Sequence, residues 1–396
     1  MTPLRLSLPP KSVKSIKRTA QNLGLLILGV VVALSLLEVG VRVFDTQPPL
    51  MYWSDPVLGW VHPANRGFTY PGNSGSVNVH FNSKGLRDVE HFYKKRDGIY
   101  RVLVLGDSYT EGVDVELADT FPKKLEKLLN IGGQPSEVIN AGVGGYGTDQ
   151  EFLFLTREGW KYEPDLVVVM FTISNDVHDN AVKGYCREMS GGLACGQHMS
   201  GMKRRVITYL KAFAQRHFQL YFFVHEKTAR LYSVRFIMNK LGLSEFNDAD
   251  EFRRGLPVEP RTLLREYSAE ITRGWRLTLA ILSQMNKDAK LHYARFLIVL
   301  IPGGNQLERR DLHAVLKALG LNASDIVAEN SNMIIQAFGA ANDIPVVDLS
   351  PAFRAAALQG ERLSDGHWKR AGHSLAAAVI CRELVRINMI QGLKGC

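Results

Sequence analysis

The run LVLGDSYTEG, residues 103–112, ends an apolar stretch on Gly-Asp and then presents Ser108. A serine hydroxyl is a weak nucleophile until a base removes its proton and an acid orients that base. SDGHWKRAGH, residues 364–373, offers both from one loop, with Asp365 two residues before His367. Attack on an ester carbonyl also needs donors aimed at the developing oxyanion. The backbone N–H groups of Ser108 and Gly145 and the side-chain amide of Asn175 are the candidates. Taken alone, each of these residues reads as a turn or a cap. Their conjunction, in this order, points to acyl transfer through Ser108, His367 and Asp365, which requires no metal or organic cofactor.

Such groups must converge at the ends of buried strands. YRVLVLG, SEVINAG, DLVVVMFTI, ARFLIVLIPGG and IPVVDLS are apolar runs of the kind buried on both faces of a parallel sheet. Helical spacing separates them, as in TFPKKLEKLLN, with Asp119 or Thr120 as N-cap and Pro122 in the first turn. Alternating strands and helices predict an α/β fold, a doubly wound α/β/α sandwich. Ligands of such sheets bind at the carboxyl ends of the strands. Ser108, Gly145 (in NAGVGGYG) and Asn175 (in Ser174-Asn175-Asp176) follow the first three of these runs. Asp107 and Asp176 read as braces for their loops, and His373 as structural.

These blocks resemble the SGNH/GDSL hydrolases, named for a serine, a glycine, an asparagine and a histidine in separate blocks. GDSYTEG looks like the first block, INAGVGG the second, SND the third and DGH the last. The resemblance runs from about residue 100 to 180 and from 295 to 385. It implies Ser108, Asp365 and His367 as catalytic residues and Ser108, Gly145 and Asn175 as the oxyanion hole. The last block is spaced Asp-x-His rather than the frequent Asp-x-x-His, and the third lacks the usual leading glycine. Some relatives that acetylate exopolysaccharides share Asp-x-His-Trp, reproduced by Asp365 to Trp368. DPVLGW and NSKGLRD resemble membrane-tethered envelope members of the family. A serine esterase or O-acyltransferase acting on acetyl groups of an envelope or extracellular glycan is therefore expected. A lipase or lysophospholipase, and a catalytically silent glycan-binding or assembly protein, are the alternatives.

The N-terminus sets the compartment. Leu23 to Leu37 carries no charge, five positive residues precede it, and no acid occurs before Glu38. Glu38 and Arg42, four apart, can pair and let a span continue to Phe44. A cleaved signal peptide and an uncleaved anchor both fit. No small-x-small site follows the apolar run, which favours the anchor. The expected organisation is a basic cytoplasmic tail (1–22), a transmembrane anchor (23–44), a lead-in segment (45–95) and a hydrolase domain (96–396) with a helical insertion at about 180–290. Positive charge inside places a single-pass protein in the cytoplasmic membrane, its catalytic domain periplasmic or extracellular.

Within the insertion, RRVITYLKAFAQRHFQLYFFV is basic and aromatic at helical spacing, fitting a cap packed on the core or an amphipathic helix facing membrane or substrate. In an oxidising compartment, Cys186 and Cys195 suit a disulfide, and Cys381 and Cys396 a second; no metal-type spacing links the four. The 396 residues carry a net charge of +9. No nucleic-acid motif accompanies that charge, so the expected partners are the ester substrate and the membrane. GVGGYG, residues 142–147, matches the dinucleotide fingerprint in form, but that reading leaves Ser108 and Asp-Gly-His unexplained.

Overall fold

The computed structural model describes residues 10–44, 51–72, 75–173, 175–190, 192–196, 202–221, 223–224, 259–303, 322–327, 329–390 and 392–396. The expected tail residues 1–9, Ser174 of the third block and residues 225–258 of the expected insertion lie outside these. The chain divides into two compact units, Met1–Leu50 with Leu210–Ser244, and Met51–Tyr209 with Glu245–Cys396.

In the larger unit the lead-in segment forms two antiparallel hairpins, β1 (Trp53–Asp55) with β2 (Gly59–Val61) and β3 (Arg66–Gly72) with β4 (Gly75–Phe81). Five parallel strands follow: β5 (Tyr100–Gly106), β6 (Ser136–Gly142), β7 (Leu166–Thr172), β10 (Arg295–Ile301) and β11 (Val346–Asp348). Their order across the sheet is β11-β10-β7-β5-β6. All seven residues of β7 are buried, so alternate side chains feed two separate cores. Val167, Val169 and Phe171 join one core with Phe296, Ile298 and Leu300. Leu166, Val168 and Met170 join the other with Leu297, Val299 and Ile301.

The first core is closed by α4 (Thr148–Arg157), α5 (Asp176–Lys183), α7 (Ala269–Leu291) and α8 (Asn330–Ala341). The second is closed by α3 (Phe121–Ile131), α9 (Ser350–Leu358) and α10 (Arg370–Arg386). Helices on both faces of a parallel sheet make the doubly wound α/β sandwich. Thr120 is the N-cap of α3, and Pro122 sits in its first turn, where a missing N–H costs no helical bond. Residues 269–291, grouped with the insertion by sequence, belong to the sandwich. Ile271, Trp275, Ile281, Leu282 and Met285 put one face of α7 into the core. Periodicity alone cannot separate a core crossover helix from an added one.

Two short hairpins complete the unit. β8 (Cys186–Met189) pairs with β9 (Gly192–Cys195), and a disulfide joins Cys186 to Cys195 across them. β12 (Ser364–Asp365) pairs with β13 (His367–Trp368) around Gly366, whose φ of +76° suits glycine. A second disulfide ties Cys381 on α10 to Cys396.

His373 is buried in the second core, where its Nδ1 accepts the Phe121 N–H at 3.2 Å. Burial first, and then the positive charges of Arg87 and Lys124, hold its pKa down at about 3, so the folded ring is neutral. An unfolded histidine takes up its proton near pH 6.5. From there down to the folded pKa the unfolded state binds the extra proton, and this contribution to stability falls as pH falls. In thermal melts, the stability advantage of the parent over His373→Gln is expected to shrink by about 2 kcal/mol between pH 6.5 and 5, at ~1.4 kcal/mol per pH unit. An advantage constant over that range would contradict the neutral buried ring.

In the smaller unit α1 (Pro10–Phe44) exposes its apolar side chains; its segment Ser15–Phe44 is long and apolar enough to cross a membrane. α6 (Met202–His217) runs from the larger unit into this one.

Candidate active site

Strand order brings the first three blocks together. β5, which delivers Ser108, lies between β6, which leads to Gly145, and β7, which leads to Asn175. Gly106 and Gly142 are register partners at the ends of β5 and β6. The crossover from β6 to β7 passes over β5, making this the point where the sheet's winding reverses.

Ser108 opens the single-turn helix α2 (Ser108–Glu111), whose N-cap is Asp107. One Asp107 carboxylate oxygen accepts the Tyr109 N–H at 2.9 Å, and the other accepts from Asn175 Nδ2 at 3.3 Å. Asp107 thus braces the Ser108 turn and the Asn175 amide together. Burial pushes its pKa up, while these two donors oppose the rise. Glu151 and Asp176 lie buried nearby, and burial together with the neighbouring acidic charges raises both well above the usual range. Asp176 also ties the end of β7, accepting the Thr172 N–H at 2.9 Å.

Ser108 Oγ and His367 Nε2 are 2.9 Å apart, within reach for direct proton transfer. The other ring nitrogen, Nδ1, is met at 3.2 Å by Asp114 Oδ2. This departs from the Asp365 assignment. Asp365, with a side chain 65% exposed, has its carboxylate 3.5 Å from Lys369 Nζ. Two residues before the histidine in a tight hairpin, it pairs with a lysine four residues on. Asp114 reaches the ring instead from the loop after α2, with only 11% of its side chain exposed.

The His367 loop is anchored by aromatic packing. Tyr109 donates its hydroxyl to the Gly366 carbonyl at 3.1 Å and stands edge-on to His367 and Trp368. Trp368 is buried beside Phe121, Phe353 and His373.

The lead-in segment supplies a layer that sequence reasoning missed. Glu111, at the end of α2, is buried and accepts from Tyr52 OH at 2.9 Å and the Gly144 N–H at 2.5 Å. His62 Nε2 lies 3.0 Å from its other oxygen. Burial works to raise the Glu111 pKa, but His62, the Tyr52 hydrogen bond and Arg87 outweigh it and hold the carboxyl below its usual range. The buried Arg87 donates to the Glu111 carbonyl at 2.8 Å, to the Gly112 carbonyl, and to the Val115 carbonyl at 2.5 Å. It thereby satisfies the open end of α2 and fixes the loop that carries Asp114.

The Gly145 turn is held from both sides. Trp60 Nε1 donates to the Gly144 carbonyl at 2.9 Å, and Lys183 Nζ to the Gly145 carbonyl at 2.6 Å. Gly145 has φ +74°, a conformation that favours glycine. Gly142 has no room for more: a Cβ there would lie 2.3 Å from the Glu111 backbone nitrogen. Beside Asp114 opens a cleft of about 360 Å³, lined by Gly75, Ser76, Glu116, Lys369 and Arg370 among others.

Residues 104–235 match the model of the GDSL-like lipase/acylhydrolase family. The matched stretch holds Ser108, Gly145 and Asn175, and its similarity to that family supports an ester-bond hydrolase. No curated protein matches the chain. Among solved structures it is similar to an acetyl xylan esterase, AlAXEase, with 14% identity over 71% of this chain and 97% of that one, at a TM-score of 0.38. It is also similar to Axe2, an acetylxylan esterase from Geobacillus stearothermophilus, with 13% identity, 72% and 94% coverage and a TM-score of 0.39. TesA gives 13% identity, 72% and 99% coverage and a TM-score of 0.36.

Proposed function

We propose that this GDSL-type domain is a membrane-tethered esterase that removes or transfers acetyl groups on a glycan through Ser108, His367 and Asp114. The observation that carries this reading is the continuous Ser108–His367–Asp114 contact, at 2.9 and 3.2 Å. Ser108 Oγ attacks the ester carbonyl carbon as its proton passes to His367 Nε2. Asp114 holds the ring by its Nδ1–H and stabilises the imidazolium. The Ser108 and Gly145 N–H groups and Asn175 Nδ2 donate to the tetrahedral oxyanion. Collapse expels the sugar alkoxide, which takes the proton from His367, and leaves acetyl-Ser108. Water, or another sugar hydroxyl, activated by the same histidine then releases the acetyl group.

One observation supports a glycan over a long-chain lipid: Asp365 to Trp368 reproduce the Asp-x-His-Trp form of exopolysaccharide acetylators. The cleft beside Asp114 has a mixed lining, Ser76, Glu116, Lys369 and Arg370 together with Val77, Val115 and Ala371. Tethering is supported by α1, whose Arg42 Nε meets Glu38 Oε1 at 2.7 Å, pairing the two charges at the end of the apolar run. A fluorophosphonate probe is expected to label the parent, and neither Ser108→Ala nor His367→Ala. On p-nitrophenyl esters, kcat/KM for acetate is expected to exceed that for decanoate at least tenfold, about 1.4 kcal/mol in transition-state binding. A preference for decanoate would replace the glycan reading with a lipase one. Labelling that persists in Ser108→Ala would remove the serine mechanism.

A further inference from the structure

Two charged residues interrupt the C-terminal part of α1, and the structure gives both of them work. Arg42 Nη2 donates to the His217 carbonyl, the last of α6, at 2.9 Å. Glu38 accepts the Gln219 N–H at 2.9 Å and the Leu220 N–H at 2.8 Å, at the start of the next helical turn. The ion pair therefore closes the carboxyl end of one helix and caps the amino end of the following turn, each charge matched to the sign of its helix end. Charges at the edge of hydrocarbon are tolerated when protein groups satisfy them, and this corner does so.

The corner fixes where the basic, aromatic helix lies. The uncharged run Leu23–Leu37 covers roughly 22 Å as a helix, against about 30 Å of bilayer hydrocarbon. Glu38 and Arg42 thus fall close to its boundary, and the turn at His217–Leu220 is held at that depth. Leu210, Phe213 and Phe218 are 64%, 56% and 46% exposed there. Phe213 packs on His217 and Phe218, forming an aromatic cluster at the corner itself. α6 carries five lysines and arginines and no acidic residue. Exposed leucine and phenylalanine on a wholly basic helix, fastened to the end of a span, have the chemistry of a helix lying in an anionic lipid interface.

We infer that the end of α6 and the turn after it are an interfacial element, seating Leu210, Phe213 and Phe218 in a phospholipid bilayer beside the end of α1. The inference rests on the reading of α1 as a membrane span. It adds a second attachment to the bilayer within the smaller unit.

The test uses the full chain in nanodiscs of phosphatidylglycerol and phosphatidylcholine, the four native cysteines being bonded in pairs. Single cysteines at Phe213→Cys, Leu26→Cys on α1 and Lys127→Cys on the exposed side of α3 each carry an environment-sensitive NBD dye. With doxyl-labelled lipid, the dye at 213 is expected to shift to the blue and lose fluorescence comparably to that at 26, while the dye at 127 does neither. Quenching at 26 but not at 213 would overturn the inference and leave the anchor standing. A blue shift at 213 without quenching would overturn it in favour of a protein partner on that face. Equal quenching at all three would overturn it as general adsorption. Quenching at none would remove the span, and the inference with it.

Discussion

Asp114→Asn is expected to lower kcat/KM for an acetyl ester by about 10³–10⁴-fold, the scale of losing the carboxylate that orients a triad histidine. Asp365→Asn is expected to leave it within about fivefold, since an exposed pair of this kind is worth at most ~1 kcal/mol. The contrast follows from where the carboxylates stand. Asp114 Oδ2 meets His367 Nδ1 at 3.2 Å, whereas Asp365 is 3.5 Å from Lys369. An amide at 114 can present its NH₂ to Nδ1, which then becomes an acceptor and moves the ring proton to Nε2. That nitrogen faces Ser108 Oγ at 2.9 Å and must be free to take the serine proton. The defect therefore appears in acylation, and fluorophosphonate labelling slows together with turnover of substrate. If Asp365→Asn instead gave the large loss, the hairpin would have to rearrange in the working enzyme.

Asp365 is attractive in the sequence for a reason that does not bear on which carboxylate reaches the ring. Asp-Gly-His puts an acid and a base side by side in the chain, and chain proximity is all that a motif encodes. Which carboxylate meets Nδ1 depends on how the β12–β13 hairpin lies over the loop after α2, and no local pattern reports that. The one signal for Asp114 is its place, in the first loop after Ser108 and at the carboxyl edge of the sheet. The positions of Ser108, Gly145 and Asn175 were legible for a different reason. Each follows a run of residues buried on both faces, so strand ends could be read from hydrophobicity, and parallel topology aligns those ends. Tyr52, Trp60, His62 and Arg87 left no such trace. They sit in short strands and loops of the lead-in segment, Trp60 and Arg87 within DPVLGW and NSKGLRD, and their work is to satisfy polar groups of α2 and the Gly145 turn, a demand visible only once those groups are buried together. α7 went into the insertion because its spacing is that of any amphipathic helix. Its partners on α4, α5 and β10, not its own residues, make it core.

Glu111→Ala is expected to be the most destabilising change near the site. It removes the acceptor of three neighbours at once, the Tyr52 hydroxyl, the Gly144 N–H and the His62 ring. It also strips the buried Arg87 of a compensating charge. Breaking a buried, hydrogen-bonded charge network from one side costs about 3–5 kcal/mol, because the remaining polar groups stay buried without partners. For a domain of this size that corresponds to a fall in Tm of roughly 6–20 °C, at about 2–4 °C per kcal/mol. Glu111→Gln keeps the volume and one acceptor oxygen, so it is expected to retain at least half of that stability while still weakening activity. The separation arises because Gly144 adjoins Gly145, the proposed oxyanion donor. If the carboxylate fixes that turn through the Gly144 N–H, kcat falls by about tenfold or more in the glutamine variant, with little change in KM. Melting curves and steady-state kinetics on the same preparations decide it. A glutamine variant melting like the parent, with unchanged kcat, would mean that the Trp60 and Lys183 hydrogen bonds to the turn suffice, and that Glu111 serves the fold alone.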